Sequence, residues 1–246
     1  MKKIFFILFT VVLIVVLIVF SLRTNRVGTG LLWGDSSYII THYHLVRDAS
    51  AITVRLYNEN PTPARLMAWD EDNNLALLKI QNTIGGVAPL IPLGDSSSIK
   101  VGESVFTLGY PLINTIGDRP RLAEGTVESH RGPDNHPNLF QISVVLQTGN
   151  SGVPLFNRQA ELIGLAMTAA EVRRLGPAGD IPPGVNFAVK SKHLRKLLAS
   201  VPGGLMAEAP RQAVNALDEA ALKIFIRKIE KNIVLVEASV PLNPDG

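Results

Sequence analysis

The amino-acid sequence predicts an all-β chain, an antiparallel barrel or sandwich, and three observations lead there. Short apolar runs recur along the chain, several alternate with period two, and each is bounded by Gly, Pro, Asn or Asp. Ile52, Val54 and Leu56 set against Thr53 and Arg55 give one such alternation. Long helical patterns between the runs are lacking, which argues against βαβ units.

Ahead of the strands, Ile4 to Leu22 form 19 uncharged residues with only Thr10 and Ser21 polar. At helical rise that length matches the hydrocarbon thickness of a bilayer. The following "FSLRTN" offers no small-x-small cleavage site, so residues 1–26 read as an uncleaved transmembrane signal anchor. Lys2 and Lys3 before the span balance Arg23 and Arg26 after it, so charge does not set the orientation.

Candidate strands then follow in order: "GTGLLW", "SYIIT", "AITVRLY", "ARLMAWD", "LALLKI", "ESVFTLGY", "LAEGTVES", "LFQISVVL", "ELIGLAMT" and "GVNFAVK". Turn-rich segments such as "YNENPTP", "RGPDNHPN" and "GPAGDIPPG" separate them. A helix capped by Ser191 runs through "KHLRKLLAS" and ends a segment covering 27–200. Residues 201–246 differ in character. A linker, "VPGGLMAEAP", leads to an amphipathic helix with Leu222, Ile226, Ile229 and Ile233 at helical spacing, and "IVLVEASVP" reads as a last strand.

Composition narrows the function classes. The pI near 9.2 suggests nucleic acid, but removing Lys2 and Lys3 leaves 22 basic against 21 acidic side chains. No basic run concentrates charge on one face, so nucleic-acid binding is not expected. The absence of Cys excludes disulfides, thiolate metal sites and a cysteine nucleophile.

Three segments carry candidate chemistry. In "VVLQTGNSGVPLFN", Gly149 and Gly152 flank Ser151 and allow a sharp turn in which the N–H groups of Gly149 and Ser151 converge on one point. In "SYIITHYHLVRDA", His44 ends a strand and begins an apolar turn. Alone, it reads equally as a hydrogen-bonded structural histidine. His42 and His44 form an i, i+2 pair, but His130, His136 and His193 lie in loops or on the late helix, and no metal or cofactor is expected. In "AWDEDNNLALLKI", Asp70, Glu71 and Asp72 read as a solvated loop before a buried strand.

Taken together, these segments resemble the trypsin-fold serine proteases of the HtrA (high-temperature-requirement) type. The likeness runs from about Gly28 to Ser200 through "GTGLLW…YIITHYHLV", "ARLMAWDEDNNLALLKI", "GNSGVPLFN" and "GVNFAVKSKHLRKLL". It implies two six-stranded antiparallel barrels with the active site between them. It places His44 on the general base, Ser151 on the nucleophile, and Gly149 with Ser151 on the oxyanion hole. It also puts Val145 at the base of the specificity pocket, and the strand with Val185, Asn186 and Phe187 along its wall, where it would pair with the substrate backbone. Polypeptide substrates and an inner-membrane, single-pass placement facing the periplasm or cell exterior follow from the resemblance and the anchor.

The chain departs from the family pattern at three places. Asn74 stands where the family has Asp; an amide can hydrogen-bond the base but cannot stabilise the imidazolium by charge. In another serine protease that exchange costs about 10⁴ in turnover, roughly 5–6 kcal/mol. Val153 replaces the usual Gly after "NSG", a β-branched residue where positive φ would be excluded. The family's strand before "GTG" is missing, so Ile233–Val240 either closes the first barrel or pairs with another chain. Nothing after Ser200 resembles a PDZ domain, and the family's trimerising segment is largely missing, which leaves a homo-oligomer open. Two readings remain: a membrane-anchored serine endopeptidase of low activity, or a pseudoprotease that binds peptides or partner proteins as a sensor or scaffold.

Overall fold

The computed structural model describes residues 23–55, 60–81, 90–111, 119–147, 151–176, 179–202, 205 and 216–241. The anchor expected at the N-terminus falls on residues 1–22, outside that set. Among the described residues no helix is long and apolar enough to cross a membrane.

Twelve strands form two closed six-stranded barrels. The first contains β1 (Arg23–Trp33), β2 (Tyr38–His42), β3 (Ala51–Arg55), β4 (Thr62–Asp70), β5 (Leu75–Ile80) and β12 (Ile233–Pro241), in the order β1-β12-β3-β4-β5-β2. The second contains β6 (Ser104–Gly109), β7 (Arg121–Ser129), β8 (Leu139–Ile142), β9 (Val153–Asn157), β10 (Leu162–Thr168) and β11 (Asn186–Lys190), ordered β10-β11-β8-β7-β6-β9. All pairings between strands are antiparallel. Closure removes the exposed edges that would otherwise recruit other strands.

Strand periodicity explains why both faces of many strands are apolar. Successive side chains point to opposite faces. Leu32, Ile39 and Leu78 therefore fill the first barrel, while Leu31, Ile40 and Leu77 face the second. Val105, Phe140, Ile142, Val153 and Leu155 fill the second barrel. The seam between the barrels holds the largest apolar cluster, in which Phe106 and Phe156 lie 5.3 Å apart between ring centroids.

Among the described residues, four short helices decorate this frame. α1 (Tyr43–Val46) is a single turn after β2, α2 (Ala169–Leu175) follows β10 directly, α3 (Ser191–Ala199) follows β11, and α4 (Glu219–Ile229) precedes β12. α4 seats Phe225 edge-on against both Phe106 and Phe156. Asp218 caps this helix by accepting from the Ala221 N–H at 2.8 Å.

Several expectations change. β1 starts at Arg23, so residues 23–26, assigned from sequence to the anchor, pair with residues 238–241 of β12. β12 lies between β1 and β3, which places the C-terminal strand inside the first barrel. Ser191 is the first helical residue and not the cap; its hydroxyl donates to the Gly94 carbonyl at 2.7 Å. The helix α2 was not anticipated, although "TAAE" is a capping box: Thr168 accepts from the Glu171 N–H and the Glu171 side chain accepts from the Thr168 N–H.

Candidate active site

His44 sits in α1, where the chain turns out of β2. Its carbonyl accepts from Arg26 Nη1 at 2.8 Å, and its own N–H donates to Asn74 Oδ1 at 2.8 Å. Asn74 is buried just before β5 in left-handed backbone (φ 53°), a region that Asn tolerates better than most residues. The first barrel thus fixes the imidazole from both sides of the turn.

Ser151 comes from the second barrel and is tied to the first. Thr29 N–H donates to the Ser151 carbonyl at 2.7 Å, and Gly152 N–H donates to His42 Nδ1 at 2.9 Å. Gly152 has φ 81°, and a Cβ there would lie 2.3 Å from the Thr29 carbonyl oxygen, so only glycine fits. The positive φ falls on Gly152 and not on Val153, which is an ordinary β9 residue with its side chain in the barrel core. The departure at Val153 therefore costs the turn nothing. Gly109 makes the room: a Cβ there would sit 2.6 Å from Val153 Cγ2.

Asn74 meets the imidazole with its amide nitrogen. Nδ2 lies 2.9 Å from His44 Nδ1 and Oδ1 lies at 3.1 Å, but Oδ1 is already accepting the His44 backbone N–H. Two arrangements satisfy these distances: Nδ2 donates to Nδ1 and the ring proton sits on Nε2, or Nδ1 donates to Oδ1, which has a second lone pair for it. The first arrangement, which an aspartate would not permit, is the tautomer a general base toward serine cannot use.

Glu171 is the residue that sequence reading missed. Its Oε1 lies 3.3 Å from His44 Nε2 and accepts from the Ser151 hydroxyl, so the imidazole and the hydroxyl meet on one carboxylate oxygen. Its Oε2 accepts from Thr168 N–H at 2.6 Å and from Thr168 Oγ1 at 3.1 Å. Burial pushes the Glu171 carboxyl upward. The His44 hydrogen bond, the electrostatic pull of the two imidazole rings and the Thr168 backbone bond outweigh it and hold the group below its ordinary range. Glu171 is therefore an anion in the cleft.

Glu171 also completes a cluster with His42 and His44 whose donor atoms lie within 4.8 Å of one another. His42 suits a metal poorly. With Nδ1 accepting from Gly152, its proton sits on Nε2, where a metal would need the lone pair. Burial holds His42 neutral by lowering its pKa to about 3, partly offset by Glu171. His42 acts as a bolt between barrels.

The remaining sequence-assigned positions are more scattered. Gly149 lies outside the described residues. Val145 is 68% exposed and does not line an enclosed pocket floor; in the segment after β8 Val144 points into the second barrel and Val145 outward. Asn186 and Phe187 are buried in β11, and Asn186 Nδ2 donates to the Val144 carbonyl at 2.8 Å. Because β11 is flanked by β10 and β8, residues 186–189 keep no free edge for a substrate strand. Val185, just before the strand, is half-buried against the core. A cavity of about 610 Å³ opens beside His44, lined by Tyr43, Arg47, Asn74, Glu171 and Arg174 among others.

Comparison with known proteins agrees with this geometry. The trypsin-like peptidase domain family matches residues 28–165. An uncharacterized protein, y4bJ, from Sinorhizobium fredii is 32% identical over 72% of this chain and 27% of its own length. A probable periplasmic serine endoprotease, DegP-like, from Pseudomonas putida is 34% identical over 58% of this chain and 29% of its own. The serine protease Do-like HtrB of Bacillus subtilis is 28% identical over 86% of this chain and 48% of its own. The chain spans a quarter to a half of the length of these relatives. With two closed six-stranded barrels among the described residues and a histidine and a serine from different barrels brought to one glutamate oxygen, it belongs to the trypsin-like serine protease family, of the HtrA type.

Proposed function

We propose that the domain hydrolyses peptide bonds in extended or unfolded polypeptides, held at the inner membrane by residues 1–22 and facing the periplasm. Ser151 Oγ adds to the scissile carbonyl, its proton passing to His44 Nε2 and then to the leaving amine. Water then reverses the steps and releases the acid. The observation that carries this reading is the convergence of His44 and Ser151, from different barrels, on one point. The relatives named as serine endoproteases support the reaction class, and one of them is named as periplasmic.

Asn74 makes the rate low. Its amide lets the ring hold its proton on Nε2, and no charge stands behind the ring. Fluorophosphonate labelling of the full chain tests this. Wild type labels slowly, Ser151→Ala does not label, and Asn74→Asp labels faster, by up to about 10⁴-fold. A wild type that labels as fast as Asn74→Asp contradicts the role given to Asn74. Labelling that survives Ser151→Ala contradicts the nucleophile.

A second reading, a peptide-binding pseudoprotease, is favoured by one observation: Glu171 occupies the space through which the serine proton would pass. Silence of every variant toward the probe would support it.

A further inference from the structure

The capping box explains only half of Glu171. Oε2 serves the start of α2 by accepting from Thr168, and a glutamate in that role ordinarily leaves its other oxygen to solvent. Here Oε1 is turned into the cleft, where it accepts from Ser151 Oγ and lies 3.3 Å from His44 Nε2.

We propose that Glu171 is an autoinhibitory latch: carried on α2, it holds Ser151 and His44 on its own carboxylate and keeps them from each other until a substrate displaces it. The proposal rests on the serine-hydrolase reading above. Two roles are open to a carboxylate in this place, latch or general base, and acidity decides between them. A general base works best with a pKa near the working pH, whereas Glu171 is held below the ordinary carboxylate range. Its charge also opposes the negative oxygen that develops when serine attacks a carbonyl, the reverse of what an oxyanion site supplies. Geometry agrees. Nucleophilic attack needs a carbonyl carbon about 3–3.5 Å from Ser151 Oγ. The serine proton must then reach His44 Nε2 directly, through the volume that Oε1 now fills.

α2 is placed to couple the latch to occupancy of the cleft. Glu171, Arg174 and Leu175 form one wall of the cavity beside His44, facing Tyr43, Arg47 and Asp72 across it. A chain entering there pushes on the helix that carries the latch.

Glu171→Gln separates the roles, because glutamine still satisfies a capping box and so keeps α2. With the fluorophosphonate, Ser151 Oγ forms a bond to phosphorus, fluoride leaves and the proton goes to His44. The latch predicts that Glu171→Gln labels faster than wild type, on the order of ten- to a hundredfold, and that Glu171→Gln with Ser151→Ala does not label. An unchanged rate in a wild type that labels overturns the latch alone and leaves Glu171 a helix cap. A slower rate overturns it in favour of a general base. Imidazole ¹⁵N NMR provides a second readout that a helix cap would not move. The His44 Nε2 signal shifts in Glu171→Gln if the contact exists; an identical signal in the two proteins overturns the proposal. Absence of labelling in wild type, Glu171→Gln and Asn74→Asp alike sinks the hydrolase reading and the latch with it.

Discussion

The two barrels have equal strand number and unequal closure. The second is built entirely from residues 104–190, each strand a short connection from a neighbour. The first takes five strands from residues 23–80 and its sixth, β12, from residues 233–241. His44 and Asn74 belong to the barrel that closes late, and Ser151 to the one that closes locally. Half of the site therefore depends on a segment far from it in sequence, and α4 strengthens that dependence by packing Phe225 into the seam on the way to β12.

The largest test removes the late strand. β12 buries Ile233, Val234, Leu235, Val236, Ala238 and Val240. At about 1.5–3 kcal/mol for each larger aliphatic side chain, the loss is on the order of 10 kcal/mol, comparable to the whole stability of a domain. Deleting residues 232–246 is expected to unfold the first barrel, with amide exchange protection lost across β1–β5 and retained longer in β6–β11. Equal protection in both barrels after the deletion would break the comparison.

A smaller effect follows from pH and concerns the bolt between the barrels. The pKa of His42 is lowered to about 3 from an ordinary 6.5, first by burial, and that of His193 to about 4, again first by burial. Between 6.5 and those values the unfolded chain carries protons that the folded chain refuses. Stability is therefore full above pH 6.5 and falls as pH drops, down to about 4 for His193 and about 3 for His42, by up to about 1.4 kcal/mol per pH unit for the fully buried His42 and by less for His193, where solvent screens the charge. Protonating His42 also ends its acceptance of the Gly152 N–H, which links β2 to the serine turn. Denaturant midpoints measured at pH 7.5, 6 and 5 should decline in wild type and decline less in His42→Asn, whose amide oxygen still accepts from Gly152. Parallel declines would remove His42 from the account.

How much of this was readable beforehand follows from the range of each interaction. Alternation along β3 and the turn residues between the apolar runs are local, and they pointed to an all-β barrel or sandwich, whereas the assignment of His44, Asn74 and Ser151 rested on the resemblance of whole segments taken in order. β12 was legible as a strand because Ile233–Val240 is apolar and β-branched, but only the fold says that it enters between β1 and β3. Glu171 shows the limit. The "TAAE" signal for a helix start was visible, yet nothing in those four residues says that the helix lies against His44. Val145 shows a different limit. Counting six residues back from Ser151 assumes the path of the intervening loop, and between buried Val144 and half-buried Leu146 the Val145 side chain is turned outward.

The smallest test probes whether the C-terminal segment acts through packing or through its own helix. Asp218 is the side-chain cap of α4 and its bond to Ala221 is exposed, so Asp218→Ala should cost about 1 kcal/mol. A short helix in a protein owes most of its stability to the face it buries, here Leu222, Phe225 and Ile229 against the seam. The variant should therefore lower the melting temperature by a few degrees and leave fluorophosphonate labelling at the wild-type rate, because β12 still closes the first barrel and His44 keeps its place. A labelling rate that moved with this remote cap would mean that α4 sets the spacing between the barrels, and the difference between early and late closure would reach the chemistry itself.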